Sequence, residues 1–381
     1  MCCSQICLVY CVLTNCLHLS DLLVFGDLSL GAGHTLLMKT DGSAWSVGAN
    51  MFGQLGIDAK IVVTQSTFVE VFSGAAKAVA AGSGHSIMLM QDGSVWSTGA
   101  NKYGQLGDGS NIDKDVLVQV ISKDAKAATA STEHSLLVMQ DGSLWATGKN
   151  SWRFGDGSAI DTNVFTPVLS DGVEAVATGS RHSLMLKQDG SVWATGNNKH
   201  GQLGDGSAYL KNSFVKVMTG GAKAVTVGNS HSMVLKQDGS IWTTGNNEYG
   251  QLGDMTAHVK RTFVEVISSG AMAIDAGYEH GMVLKQDGSV WVTGRNNFGQ
   301  LGNGGTTSTN VFLRVISSGV QTVAAGDWHS MVIKHDDSLW ATGANLYGQL
   351  GDGTTAAKNT YFRVLPSYVG GCCILLWKCR N

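Results

Sequence analysis

The stretch AVTVGNSHSMVLKQDGSIWTTGNNEYGQLG, residues 224–253, carries the fold in one reading. From His231 the side chains alternate, His231, Met233 and Leu235 against Ser232, Val234 and Lys236, which is the period of an extended strand with two different faces. Asp238-Gly239 interrupts the run as a hairpin turn that needs a residue of positive φ. A second strand follows around Trp242, then the turn-rich segment NNEYGQLGD, then a third run, FVEVISSG, from Phe263. With the Ala/Val run at the start, this makes four short strands, A at AVTVG, B after the histidine, C around the tryptophan and D at Phe263 to Val266. Nothing of helical length or period separates them.

The unit recurs. His34, His85, His134, His182, His231, His280 and His329 stand 51, 49, 48, 49, 49 and 49 residues apart. Eleven residues after each stands Trp45, Trp96, Trp145, Trp193, Trp242, Trp291 or Trp340. Asp-Gly recurs with them, from Asp41, Asp92, Asp141, Asp189 and Asp287, and becomes Asp336-Asp337 in the last copy, where an aspartate must take the left-handed conformation. Thirty-two residues after the histidine, strand D reappears at Leu117, Phe214, Phe312 and Tyr361. Seven four-stranded units in tandem predict an all-β chain, a seven-bladed β-propeller of four-stranded antiparallel blades, because radial closure buries both faces of every sheet and protects its edges. The propeller is expected over residues 27–366, with a cysteine-rich flank over 1–26 and a cysteine-containing tail over 367–381.

Composition agrees and excludes several functions. Apolar residues make up 43% of the chain and charged residues 14%, with 50 glycines and two prolines, as a large core with many tight turns requires. The net charge is −3 and no run of Lys or Arg exists, so nucleic acid is not an expected partner. All eight cysteines lie outside residues 17–371, without the paired spacing of a zinc site, and no metal or other cofactor is expected. The apolar run Ile6 to Leu13 has no basic residue before it and no clear cleavage site, which favours a cytoplasmic location over a secreted one. No stretch has the length and apolar density of a membrane span. The glycine-rich pieces such as Gly31-Ala32-Gly33 lie between strands and precede no helix, so they are not phosphate cradles. A monomer without catalytic residues is expected.

The pattern Gly-x-x-His-Ser, Asp-Gly-Ser-x-Trp and Gly-x-Asn-x-Tyr-Gly-Gln-Leu-Gly, as at Gly245 to Gly253, resembles the regulator of chromosome condensation repeats over about residues 27–366. That resemblance implies a seven-bladed propeller. Functionally it is wide: the family includes a nucleotide exchange factor for a small GTPase bound to chromatin, parts of large ubiquitin ligases and a secreted bacterial inhibitor of β-lactamases. The chromatin-bound member would imply a wedge inserted in one blade and a basic N-terminal tail. Here every copy is 48 to 51 residues long and the first 20 residues hold no Lys or Arg. The reading is therefore a protein-binding scaffold, with a regulator or exchange factor of a small GTPase as the alternative.

Residues repeated in every copy hold the repeat together; those that differ are available for function. The histidines, His231 for example, are expected to bond the backbone of a neighbouring turn through both ring nitrogens. The tryptophans, with Leu106, Leu203, Leu252 and their counterparts, are expected to pack between blades. The two positions before each histidine vary most, from Ala32-Gly33 through Glu133 and Arg181 to Tyr278-Glu279 and Asp327-Trp328. In an antiparallel A-B-C-D meander, the A–B and C–D turns share one face of the disc. The C–D turns and the residues before them add Trp152, Tyr249 and Arg295 to that face. Aromatic residues and arginine are what contact surfaces enrich, so these nine residues are the candidate binding face, with Trp328 expected to be exposed. Copy three departs from the pattern at Asn150-Ser151-Trp152-Arg153-Phe154-Gly155, with one glycine lost and Gln-Leu replaced by Arg-Phe.

Overall fold

The computed structural model describes residues 25–365, and every regular element in it is a strand. The strands form seven separate four-stranded antiparallel sheets, each in the order A-B-C-D along the chain. In blade 5, A is Ala222–Val227, B is His231–Lys236, C is Ile241–Gly245 and D is Lys260–Ile267. The first strand begins at Phe25 and the last ends at Leu365. The expectations for the cysteine-rich flanks, and for a leader or compartment read from Ile6 to Leu13, fall outside the described residues.

Each blade comes from one continuous segment, so no strand is shared across the junction of blades 7 and 1. The ring closes by side-chain packing and by hydrogen bonds. The Asp327 N–H donates to the Gly31 carbonyl (3.2 Å), and the Thr35 hydroxyl donates to the Gln349 carbonyl (2.9 Å). Leu28, Leu30 and Leu37 pack with Met331, Ile333 and Leu350 in one core cluster. Seven such clusters exist, one at each interface between neighbouring blades, and no single central core does. A blade is therefore stabilised by its neighbours, as expected of a repeat protein. The ladder tryptophans lie half-buried against these clusters. Each indole N–H donates to the serine two residues before it, as Trp96 does to Ser94 (3.3 Å).

The B–C hairpin turn spans four residues, and only the glycine takes positive φ (Gly93, 80°) while the aspartate caps the next serine N–H (Asp92 to Ser94, 2.8 Å). In blade 7 Asp337 adopts φ 57° and the turn is kept, as the Asp336-Asp337 pair demands.

The ladder histidines are fully buried, but their partners differ from the expectation. In five blades Nε2 lies within 2.9 to 3.0 Å of a hydroxyl on the following blade: His34 to Ser86, His85 to Ser135, His182 to Ser232, His280 to Ser330, and His329 to Thr35 across the junction. That hydroxyl gives its own proton to a backbone carbonyl, as Ser86 does to Gln54 (2.6 Å), so Nε2 must be the donor. Nδ1 has no partner in these blades, and the edge of the ring that carries it faces the glycine three residues earlier, which has no side chain to offer. A Cβ at Gly31 would meet both the His34 ring and the Gly82 carbonyl. Blade 3 has Ser131 at that place, and its hydroxyl pairs with His134 Nδ1 instead (2.7 Å).

His231 is the exception. Gly281 stands where the other blades have Ser or Thr, so the His231 ring finds no hydroxyl and has only the backbone of His280 within reach. Replacing His85 by Ala should cost about 1 to 3 kcal/mol, through the Ser135 hydroxyl left without its donor and the void left by the ring. His231→Ala leaves no hydroxyl behind and should cost roughly 1 kcal/mol less. Urea denaturation of the two variants checks the order; equal losses would mean that the inter-blade hydrogen bond contributes nothing.

Candidate binding face

The A strands are the innermost, and their C-terminal ends line a central channel with a cavity of about 210 Å³. It opens on the A–B and C–D face into a basin of about 650 Å³, with Ser83, Thr132, Ser180, Asn229, Tyr278 and Asp327 lining both. Of the nine candidate residues, Glu133, Trp152, Arg181, Tyr278 and Asp327 line this basin. The other four, Glu279, Trp328, Tyr249 and Arg295, are gathered beside it in one cluster around Arg295.

The cluster follows a rule that repeats between blades. The aromatic residue of a C–D loop reaches over the A–B turn of the next blade: a Cβ on Gly84 would lie 3.2 Å from the Phe52 ring, and one on Gly33 2.9 Å from the Tyr347 ring. At the blade 6 to blade 7 junction this position is Trp328, so the indole does not stand free. It is half-buried, with its ring 4.9 Å from Tyr278 and 5.6 Å, edge-on, from Phe298. The expected exposure of Trp328 is thus corrected: the loop aromatic of blade 6 covers one side of it. Phe298, 44% exposed, is the outward member of the stack and was not legible as a site residue. Arg295 lies between the rings of Tyr249 (4.5 Å) and Trp328 (4.9 Å), with Nη1 2.6 Å from the Glu279 carboxylate. Both charges are thereby used within the cluster, and what it offers outward is a fixed aromatic surface.

Across the basin, Glu133 accepts from Lys149 (3.1 Å) and Arg153 (3.2 Å). Burial alone would raise its carboxyl, but these two cations hold it below the usual range. Trp152 and Arg153 lie in different surroundings. Arg153 is buried in the place of the usual glutamine, whereas Trp152 is 39% exposed with φ 65°. Its carbonyl takes the Thr195 hydroxyl (3.3 Å) just as the Gly104 carbonyl takes Thr147 (2.8 Å). Trp152 therefore occupies the glycine position of the loop, in a conformation that is strained for a bulky residue. Arg181 is exposed at the basin wall; its carbonyl accepts from the Asn197 N–H (2.9 Å), while its guanidinium makes no hydrogen bond or ion pair among the described residues.

Exposed apolar side chains are concentrated on this face. Of sixteen large ones, thirteen lie in C–D connections and two more, Val116 and Val164, near the start of D strands; only Met272 does not. Ile112, Ile160 and Tyr209 hold the same place in blades 2 to 4, each 68 to 78% exposed, and Ile61 lies nearby in the longer loop of blade 1, whereas blades 5 to 7 have His258, Thr307 and Ala356 there. The signal was in the sequence, since each of these residues lies 10 or 11 positions after the loop asparagine. Among the described residues no group of three His, Cys, Asp or Glu could hold a metal ion, and no helix is long and apolar enough to cross a membrane.

Fold and repeat together define a class, the seven-bladed propellers built of sequence repeats with a variable loop face. The family model described as regulator of chromosome condensation (RCC1) repeat matches residues 41–89, 92–138, 189–235, 238–284 and 287–333. A second model of the same description matches five further or overlapping stretches between residues 76 and 349. The chain belongs to the regulator of chromosome condensation repeat family. Each match of the first model runs from one B–C turn to strand B of the next copy, so the family's repeat straddles two blades.

Mouse Protein RCC2 is 42% identical over 83 residues, 22% of this chain and 16% of that protein. The mouse X-linked retinitis pigmentosa GTPase regulator is 31% identical over 91 residues, 24% of this chain and 9% of that protein. The matched stretches thus span less than a fifth of these relatives' own length. Among solved structures, Prp20p of Saccharomyces cerevisiae superimposes with a TM-score of 0.74 at 19% identity, covering 84% of this chain and 85% of that one. At that identity the likeness concerns the fold.

Proposed function

We propose that the propeller is a non-enzymatic scaffold that takes a protein partner on its A–B and C–D face. The observation that supports this reading best is the placement of exposed apolar side chains, thirteen of sixteen in the C–D connections of one face. Soluble surfaces scatter such residues; their concentration in the connections of one face, with Trp152 and Leu210 on the basin wall, is what contact surfaces have.

Trp152 allows binding to be separated from folding. A bulky residue held at φ 65° costs about 1 to 2 kcal/mol relative to glycine, so Trp152→Gly should hold or raise the melting temperature. If Trp152 is kept for contact, the same change should weaken partner binding by about tenfold or more. Trp328→Ala should weaken it by about thirtyfold, with a stability loss near 1 kcal/mol from the broken stack. Gln286→Ala, exposed in a B–C turn of the opposite face, should leave affinity unchanged. Calorimetry with a partner captured by the full chain measures all three; unchanged affinity for both tryptophan variants sinks the assignment.

A second reading, regulator or exchange factor of a small GTPase, is favoured by the relatives. One is named a GTPase regulator, and the Prp20p structure was described with its binding properties to Gsp1p and histones. A guanine-nucleotide release assay against a panel of small GTPases decides between the two readings. Acceleration of about a hundredfold, roughly 2.7 kcal/mol in barrier, would establish exchange; none leaves the scaffold.

A further inference from the structure

We infer that the mouth of the central channel is a well for a cationic group, a guanidinium or ammonium side chain that the partner inserts beside Asp327. This rests on the reading of the face just given and adds the chemistry of the partner's anchor. The channel lining supplies backbone, serine and threonine hydroxyls, and the two carboxylates of Asp275 and Asp327; it contains no Lys, Arg or His.

The two carboxylates differ in their contacts. Asp275 is used by the fold: it accepts from the Ala276 N–H (2.9 Å), from the Thr226 hydroxyl (3.1 Å) and from the Ala325 N–H of the next blade (2.8 Å). Asp327 is not. Its backbone N–H closes the ring on Gly31, but its carboxylate has neither a hydrogen bond nor an ion pair among the described residues, although it lines both channel and basin. An unpaired carboxylate set into a narrow mouth is poorly solvated, and burial pushes its carboxyl up to about 6. Asp275 is likewise pushed up to about 6, mainly by burial, with some contribution from the charge of Asp27. A cation in the mouth would relieve this unfavourable charge. The wall there is Tyr278, whose ring is fixed by its stack on Trp328, so the cation would meet an aromatic face as well as a carboxylate.

The remaining charges set the orientation, and across the basin Lys149 and Arg153 are both held by Glu133. Arg181 and Arg295 lie within electrostatic reach of Tyr278, as do Asp327 and Glu279. Arg295 is neutralised by Glu279. Arg181, exposed on the basin wall, repels a cation toward the Asp327 side and leaves room for an acidic residue of the partner on its own.

The experiment uses the full chain and two small probes, Nα-acetylarginine amide and its neutral isostere Nα-acetylcitrulline amide, in saturation-transfer NMR at fixed ionic strength. The arginine probe should bind at least tenfold more tightly than the citrulline probe. Asp327→Asn should remove that preference and hold or raise the melting temperature, since no bond is lost. Tyr278→Ala should weaken the arginine probe severalfold. Equal binding of the two probes, or a preference that survives Asp327→Asn, overturns the well. If it falls while Trp152→Gly and Trp328→Ala still weaken the partner, the face stands without it. If the probes behave as expected but neither tryptophan variant matters, it is the face that fails.

Discussion

Acidification from pH 7 to pH 5 should unfold this protein. All seven ladder histidines are buried, and burial lowers each of them: His34, His182, His280 and His329 to about 3, His85 and His231 to about 4, and His134 well below its ordinary value. A histidine lowered in the folded state stays neutral there while the unfolded chain, near 6.5, takes up a proton. Stability is therefore lost as pH falls below about 6.5, and the loss continues until the folded values are reached. Asp275 and Asp327, raised to about 6, act in the opposite sense: between about 6 and 4 they are protonated folded but ionised unfolded. Asp27, also raised by burial, acts with them, so seven protons against two or three leave an imbalance of about four to five near pH 5, a slope of roughly 6 kcal/mol per pH unit. Domains are stable by about 5 to 15 kcal/mol, so one to two units suffice. Melting temperatures between pH 7.5 and 4.5 measure this, and a flat profile would mean that the histidines are not buried as neutral rings.

Removing residues 222–270, the whole of blade 5, should abolish the compact monomer. The cut joins the D–A connections on either side cleanly, so local strand formation is not what fails. What fails is the ring. Blade 5 shares one core cluster with blade 4, through Leu184, Val192 and Leu203, and one with blade 6, through Met233, Leu235 and Ile241. If the remaining six blades keep their present angle, both surfaces stay open, exposing several side chains that each contribute about 1.5 to 3 kcal/mol when buried. That exceeds the stability of a typical domain. Size-exclusion chromatography should show aggregate or oligomer; a stable six-bladed monomer would show that the blades themselves do not determine the closure number.

The architecture was legible because each blade repeats the same physical solution. A histidine and a tryptophan eleven residues apart fix strands B and C, and every copy carries them. The side-chain partners were less legible, because they lie on the next blade, about 50 residues away. From the sequence of blade 5 alone His231 looks like its six counterparts, yet its hydrogen bond depends on residue 281, where glycine has replaced serine. Trp328 read as exposed for the same reason: its cover, Phe298, belongs to the preceding blade. Trp152 shows the converse, since a shortened loop was visible but not that the tryptophan had taken the glycine's left-handed place. The candidate face itself was readable from variation between copies, whereas the basin and the unpaired Asp327 needed coordinates.

Partner binding on the A–B and C–D face should be visible in the backbone. Hydrogen–deuterium exchange of the full chain, alone and saturated with a captured protein partner, tests it most directly. Exchange should slow in the turns around Tyr278 and Trp328 and in the C–D connections around Trp152 and Phe298, with the B–C turns at Asp238-Gly239 and Asp287-Gly288 unchanged. Protection confined to those B–C turns, with the loop face exchanging as in the free protein, would contradict it.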